Sequence, residues 1–168
     1  MNLIYDAIKI ILTAVLSALF TNFAFNYKKL YEVNIVRYKE FYIKYVEFLH
    51  TCQNVGYDYS KFSSSDRNYL YNLIYSNLHH LDEFTLQHLD SYKKLHQLCL
   101  VRDEGCSTED VKLYVRKATH IFLSLSLAIV AESIQLSQAI KHPNTAKALY
   151  DEMVCIQKNY NQDSTQHK

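Results

Sequence analysis

The residues most capable of chemistry are a few carboxylates and imidazoles at helical spacing. Glu47 and His50 form an E-x-x-H, which on a helix sets a carboxylate and an imidazole on one face. In di-iron bundles two such motifs and two further glutamates converge on the metals. This chain carries the motif once, so the constellation is incomplete. The plainer reading is a surface glutamate with a histidine near a helix end. A second group is His79, His80, Glu83 and His88. His79 and Glu83 stand four apart, the spacing at which two side chains on one helix face can share a metal or pass a proton. His79, Glu83 and His88, with Glu47 and His50, are the weak metal candidates of this sequence, set against the common reading of an exposed face rich in histidine.

Glu132 stands inside an otherwise apolar helical stretch. Buried, it needs a partner such as a lysine, an arginine or a tyrosine hydroxyl, or its pKa rises. Arg116 and His120 are separated by three residues, a closer spacing than the Arg and His pair of small helical ribonucleases, and no likeness to that family follows. Cys52, Cys99, Cys106 and Cys155 are scattered. No C-x-x-C suggests zinc, and free thiols packed as small hydrophobes are expected. With glycine only at 56 and 105, no phosphate-cradling loop is possible, and no nucleophile elbow, Walker sequence, H-E-x-x-H or EF-hand loop occurs. No catalytic residue, cofactor or small-molecule substrate is assigned. The formal charge of +1 leaves no global footprint for nucleic acid.

The element that must position everything else is the N-terminal stretch Ala7 to Tyr27. Ile10 to Phe25 contains no charged residue. Sixteen helical residues cover roughly 24 Å, and extension to Ala7 and Tyr27 reaches the thickness of a hydrocarbon core. Lys9 sits close enough to the end to run its stem outward to the headgroups, and Tyr5 and Tyr27 occupy interfacial positions. Phe, Thr, Asn and Phe follow the core, with no small-residue cleavage site, so a removed signal peptide is not expected. Lys28, Lys29, Arg37, Lys39 and Lys44 follow the span and only Lys9 precedes it. This bias predicts a single-pass protein of the cell membrane, N-terminus outside and C-terminal domain cytoplasmic.

Beyond the anchor, a stripe of Tyr31, Ile35, Tyr38, Tyr42, Tyr45, Leu49 and Cys52 continues the helical period. The membrane helix is expected to run on into this one, with a bend near Asn26. Gln53 to Asp66 reads as a loop, with Asp66 or a preceding serine as N-cap of the next helix. Leu70, Leu73, Ile74, Leu78 and Leu81 mark that helix; Asp82 and Glu83 either begin a new one or continue it. Leu89, Tyr92, Leu95 and Cys99 mark a helix ending near Arg102 and Gly105. Ser107 or Thr108 caps one long helix carried by Val111, Val115, Ala118, Phe122, Leu125, Ile129, Leu136 and Ile140. Its centre, Ile121 to Ala131, is apolar all round, as in the central helix of a bundle; a short or re-entrant span is the runner-up. His142 and Pro143 stop it, and Thr145 to Tyr160 forms the last helix.

The expected architecture is therefore all-α: an N-terminal transmembrane helix (1–27) continuing into a cytoplasmic bundle of about four helices (28–160), with a disordered polar tail (161–168). Three functions fit. The first is a membrane-anchored interaction or scaffold module without catalytic activity, whose partners are the lipid bilayer and another protein or itself. The second is a small membrane-acting effector, a pore-former or toxin, that oligomerises through its transmembrane helix. The third is a metal-dependent enzyme using the histidine cluster.

Overall fold

A computed structural model describes residues 2–52, 57–106, 108–143 and 145–166. All regular structure among them is helical. The chain divides into two compact units, at Val36 and Arg37, so that residues 28–36 fall with the N-terminal unit.

The described residues of the N-terminal unit form a single helix, α1 (Asn2–Arg37), whose last residue, Arg37, falls with the second unit. It remains α-helical through Asn26, where a bend is expected from sequence, and the Asn26 amide bonds one turn back to Asn22. The departure from α geometry comes later, as a π-helical turn over Tyr38–Tyr42 in which the Ile43 N–H reaches the Tyr38 carbonyl. No proline or glycine accompanies it, so sequence offers no marker for it. Helix α2 (Ile43–Cys52) follows without interruption of the helical backbone.

The expected aromatic stripe is real over its middle, which lies in the second unit. Tyr38, Tyr42, Tyr45 and Leu49 are buried, joined by Phe41 and Val46, whereas Tyr31 is exposed and Ile35 only half-buried. The side chain of Cys52 and residues 53–56 of the expected loop lie outside the description. A short 3-10 turn (Tyr59–Lys61) leads to α3 (Ser64–Tyr75). Ser63 caps it, its hydroxyl accepting from the Asp66 N–H at 3.1 Å, so one of the orphan donors of the first turn is satisfied. Helix α3 stops at Tyr75 rather than running on to Leu81. A 3-10 turn (Leu78–His80) and the extended residues Leu81 and Asp82 intervene before α4 (Glu83–Leu86). Helix α5 (Leu89–Asp103) buries Tyr92, Leu95, His96 and Cys99.

The single long helix expected after Thr108 is two. Thr108 caps α6 (Glu109–Arg116), accepting from the Val111 N–H at 3.3 Å. At Lys117 the backbone leaves α geometry, with φ −94° and ψ 0°, before α7 (Ala118–Ala139) begins. No helix breaker stands there, so the break is tertiary. Helix α6 lies along α5, with the Lys94 ammonium 4.8 Å above the Tyr114 ring, while α7 turns to pack on α5, α8 and the π turn. Helix α8 (Ala146–Gln166) buries Leu149 and Met153, and its helical backbone extends past Tyr160 into the stretch expected as a polar tail. The second unit is thus cut into more and shorter pieces than four helices.

Helices α5 and α7 end in the same way. Gly105 and Lys141 both take positive φ, 88° and 54°. The next N–H in each reaches five residues back, Cys106 to the Val101 carbonyl at 3.1 Å and His142 to the Ser137 carbonyl at 2.8 Å. This is the left-handed cap that satisfies the last carbonyls of a helix. Glycine adopts it freely, and lysine does so against a steric penalty.

Helix α7 is the centre of the unit. Phe122, Leu123, Leu125, Ala128, Ile129 and Val130 are buried. Its 22 residues are long and apolar enough to cross a membrane, and more than half of its most apolar window is covered within the structure, as expected for the central helix of a bundle.

Candidate functional site

Glu132 is a charged residue buried on α7, with 7% of its surface exposed. Three groups supply hydrogen bonds to its carboxylate. The Tyr42 hydroxyl, from the π turn, donates to Oε2. The Thr85 hydroxyl, from α4, donates to Oε1. The Asp82 N–H, ahead of α4, lies 3.3 Å from both oxygens. Burial raises the Glu132 pKa, the Asp82 charge adds to that, and the bonds from Thr85, Tyr42 and Asp82 oppose it. The tyrosine hydroxyl named from sequence as a possible partner is the one the fold provides.

The cluster continues through the backbone of the 3-10 turn. The His80 carbonyl accepts from the Arg37 guanidinium, which also pairs with Asp82 at 3.3 Å, and lies 2.8 Å from Tyr42 Oη, where it competes with Glu132 for the single phenol proton. Burial pushes the Tyr42 phenol far up, and hydrogen bonding to Glu132 adds to it, so Tyr42 stays a donor. The His80 ring is buried against His79, ring centres 3.9 Å apart, with Nε2 3.7 Å from a Glu40 oxygen. Burial lowers its pKa, helped by His79 and Arg37 and opposed by Glu40. The arrangement binds the segment 80–85 to the π turn and α7. Glu132 is not among the residues that line the two clefts described below.

A second buried network lies among α3, α5 and the turn at Tyr59. Tyr59 Oη sits 2.7 Å from His96 Nδ1 and accepts from Tyr92 Oη at 3.2 Å. Burial raises the pKa of Tyr59 and lowers that of His96. Tyr59 therefore donates and neutral His96 accepts, the pairing both shifts favour. Tyr71 stacks on the His96 ring at 4.1 Å. Arg67, 2% exposed, donates to the Phe62 carbonyl and pairs with Asp103. Burial alone would raise the Asp103 pKa, but the Arg102 and Ser64 hydrogen bonds and the Arg67 charge outweigh it and hold it low.

The sequence candidates are placed differently. His79 belongs to the 3-10 turn and Glu83 to α4, with extended Leu81 and Asp82 between them. They do not share a helix face, because the one-helix spacing that joined them is broken. His88 lies at the N-terminal edge of α5, its ring 5.3 Å from Phe84. Glu47 and His50 are both exposed on α2. They line a surface cleft of about 320 Å³ with Tyr38, Ile43, Val46, His142 and Thr145. Sequence missed His142 as a neighbour because the turn after α7 brings it there from far along the chain. Another cleft, about 280 Å³, runs between α7 and α8, lined by Phe84, Leu127, Ala131, Tyr150 and Val154 among others. Among the described residues no three His, Cys, Asp or Glu side chains come together as a metal-holding group. Cys99 is buried, and Cys106 and Cys155 are exposed; all three are free thiols.

No family model, curated protein or solved structure matches this chain.

Proposed function

We propose that the chain is a membrane-tethered helical module that acts by binding another protein, or itself, and not by catalysis. The observation that carries this is the surface of α1. Ile8, Ile10, Ile11, Leu12, Val15, Leu16, Leu19, Phe20, Phe23 and Phe25 are 46–72% exposed. The most apolar window has a mean hydropathy of 1.8 and none of it is buried. Removing ten such side chains from water is worth on the order of 20 kcal/mol, and a bilayer is the cover that suits a helix apolar on every side. At 36 residues, α1 is about 54 Å long, enough to cross the hydrocarbon and emerge beyond it.

Sidedness follows the basic residues. The excess of Lys28, Lys29, Arg37, Lys39 and Lys44 after the span over Lys9 before it supports a cytoplasmic C-terminal unit and an outside N-terminus. The binding role is favoured by two features of the second unit. Glu132, Tyr59, His96 and Arg67 are engaged in hydrogen bonds within the unit, and Phe84, 64% exposed, lines the α7–α8 cleft.

The test is fractionation of cells expressing the full chain with a reporter fused after Lys168. The reading expects the protein to stay in the membrane pellet after an alkaline wash, with the reporter active in the cytoplasm. It expects a Leu16→Lys/Phe20→Lys variant to move to the supernatant. Wild-type protein released by the wash overturns the tether, and a reporter active only outside overturns the orientation.

A further inference from the structure

We propose that α1 associates with a second copy of itself in the bilayer through Asn22. The inference rests on the membrane tether argued above. The two threonines of the apolar stretch are satisfied within the helix. Thr13 Oγ1 donates to the Lys9 carbonyl and Thr21 Oγ1 to the Ser17 carbonyl, both at 2.8 Å. Such back-bonding is how a hydroxyl is accommodated in hydrocarbon.

Asn22 differs. Its Oδ1 accepts from the Asn26 amide at 3.2 Å, and its own NH₂ has no acceptor in the described chain. Along the axis, Asn22 stands about 7 Å from the midpoint of residues 10–25, well inside a hydrocarbon half-thickness of about 15 Å. Asn26 lies about 13 Å from that midpoint, near the boundary. A one-carbon stem cannot carry the Asn22 amide to the headgroups as lysine carries its ammonium. Two donor hydrogens are then left without an acceptor in a medium that offers none.

A carboxamide is self-complementary. Across a two-fold axis, each Asn22 NH₂ can donate to the Oδ1 of the other copy, whose second lone pair the Asn26 bond leaves open. Polar side chains of this kind hydrogen-bond between helices in membranes. Ala18, one turn earlier on the same face, adds no bulk to the approach. The chemistry selects a second copy because one residue type supplies both halves of the bond.

The test uses the full-length chain, carrying donor or acceptor fluorescent proteins after Lys168, in phosphatidylcholine vesicles at high lipid-to-protein ratio. Flotation reports the tether, and energy transfer reports association. Wild type and Asn22→Gln, which keeps the amide, are expected to float and to show transfer that unlabelled chain competes away. Asn22→Leu, more apolar and at least as well anchored, is expected to float with transfer reduced to that of random encounter. If Asn22→Leu floats and transfers like wild type, or wild type floats without transfer, self-association through Asn22 is overturned while the tether stands. If wild type does not float, the tether fails and the inference with it.

Discussion

Tyr42 and Glu132, ninety positions apart, meet inside the second unit with the phenol donating to the carboxylate. The pair joins a π-helical turn to the middle of the central helix. Each member is enclosed by burial that disfavours its charged or unpaired form, so removing one leaves the other in a worse state than removing both.

A double-mutant cycle of Tyr42→Phe and Glu132→Leu should therefore be non-additive. Hydrogen bonds to a charged group are worth about 2 kcal/mol, so the double variant is expected to lose about 2 kcal/mol less than the sum of the singles, read by urea unfolding. Additivity within about 0.5 kcal/mol would show that the two side chains act independently.

Arg67 and Asp103 make the sharper stability prediction. Arg67 is enclosed and Asp103 only partly so. Asp103→Ala leaves a buried guanidinium with the Phe62 carbonyl as its remaining strong acceptor, and about 3 kcal/mol of stability should be lost. Replacing both, as Arg67→Met/Asp103→Ala, should recover much of that loss. Equal destabilisation of the single and double variants would mean that the charge is not what matters.

Acid should loosen the fold through its histidines. The folded pKa values of His80 and His96 lie below the ordinary 6.5. The stability their neutral forms contribute is present above that value and is lost as pH falls through the folded pKa. Glu132 works the other way. Its folded pKa lies above the ordinary 4.5, so its contribution is full below that value and is lost as pH rises through the folded pKa. Thermal melts should show a lower Tm at pH 5.5 than at pH 7.5. His96→Gln should narrow the difference and Glu132→Gln should widen it. A Tm that rises on acidification would reverse the assignment.

The two left-handed caps predict opposite responses to exchange. Lys141→Gly should stabilise by about 1 kcal/mol, because it removes the steric cost of positive φ in a non-glycine residue. Gly105→Ala should destabilise by about 1 kcal/mol, though a Cβ there meets nothing within 4 Å. Loss of stability in Lys141→Gly, judged by urea midpoint, would show that the lysine side chain contributes more than its backbone costs.

Much of the helical architecture was legible in periodicity. Tyr38, Tyr42, Tyr45 and Leu49 read as one buried face because a 3.6-residue repeat survives even a local π turn. Serine and glycine marked the ends of α3 and α5 because capping is local chemistry. The breaks at Ser76 and Lys117 were invisible, since neither is a strong helix breaker and each is set by what the neighbouring helices require. The same limit governed the side-chain clusters. Glu132 stood out as a lone charge in an apolar run, and a tyrosine hydroxyl was among the partners sought. Which tyrosine answered depended on a pairing ninety residues distant. His79 and Glu83 were joined only by counting, and one extended step at Leu81 and Asp82 separated them.

If α1 tethers the chain to a bilayer as proposed, helix α7 sets a hazard. Whenever the second unit opens, a 22-residue apolar segment is released within reach of the same bilayer, and threading into it competes with refolding. Glu132 biases that competition. An acidic side chain at mid-helix adds up to about 3 kcal/mol to insertion, whereas inside the folded unit the same carboxylate is welcomed by three donors. The residue that fastens the core is thus also a deterrent to misinsertion.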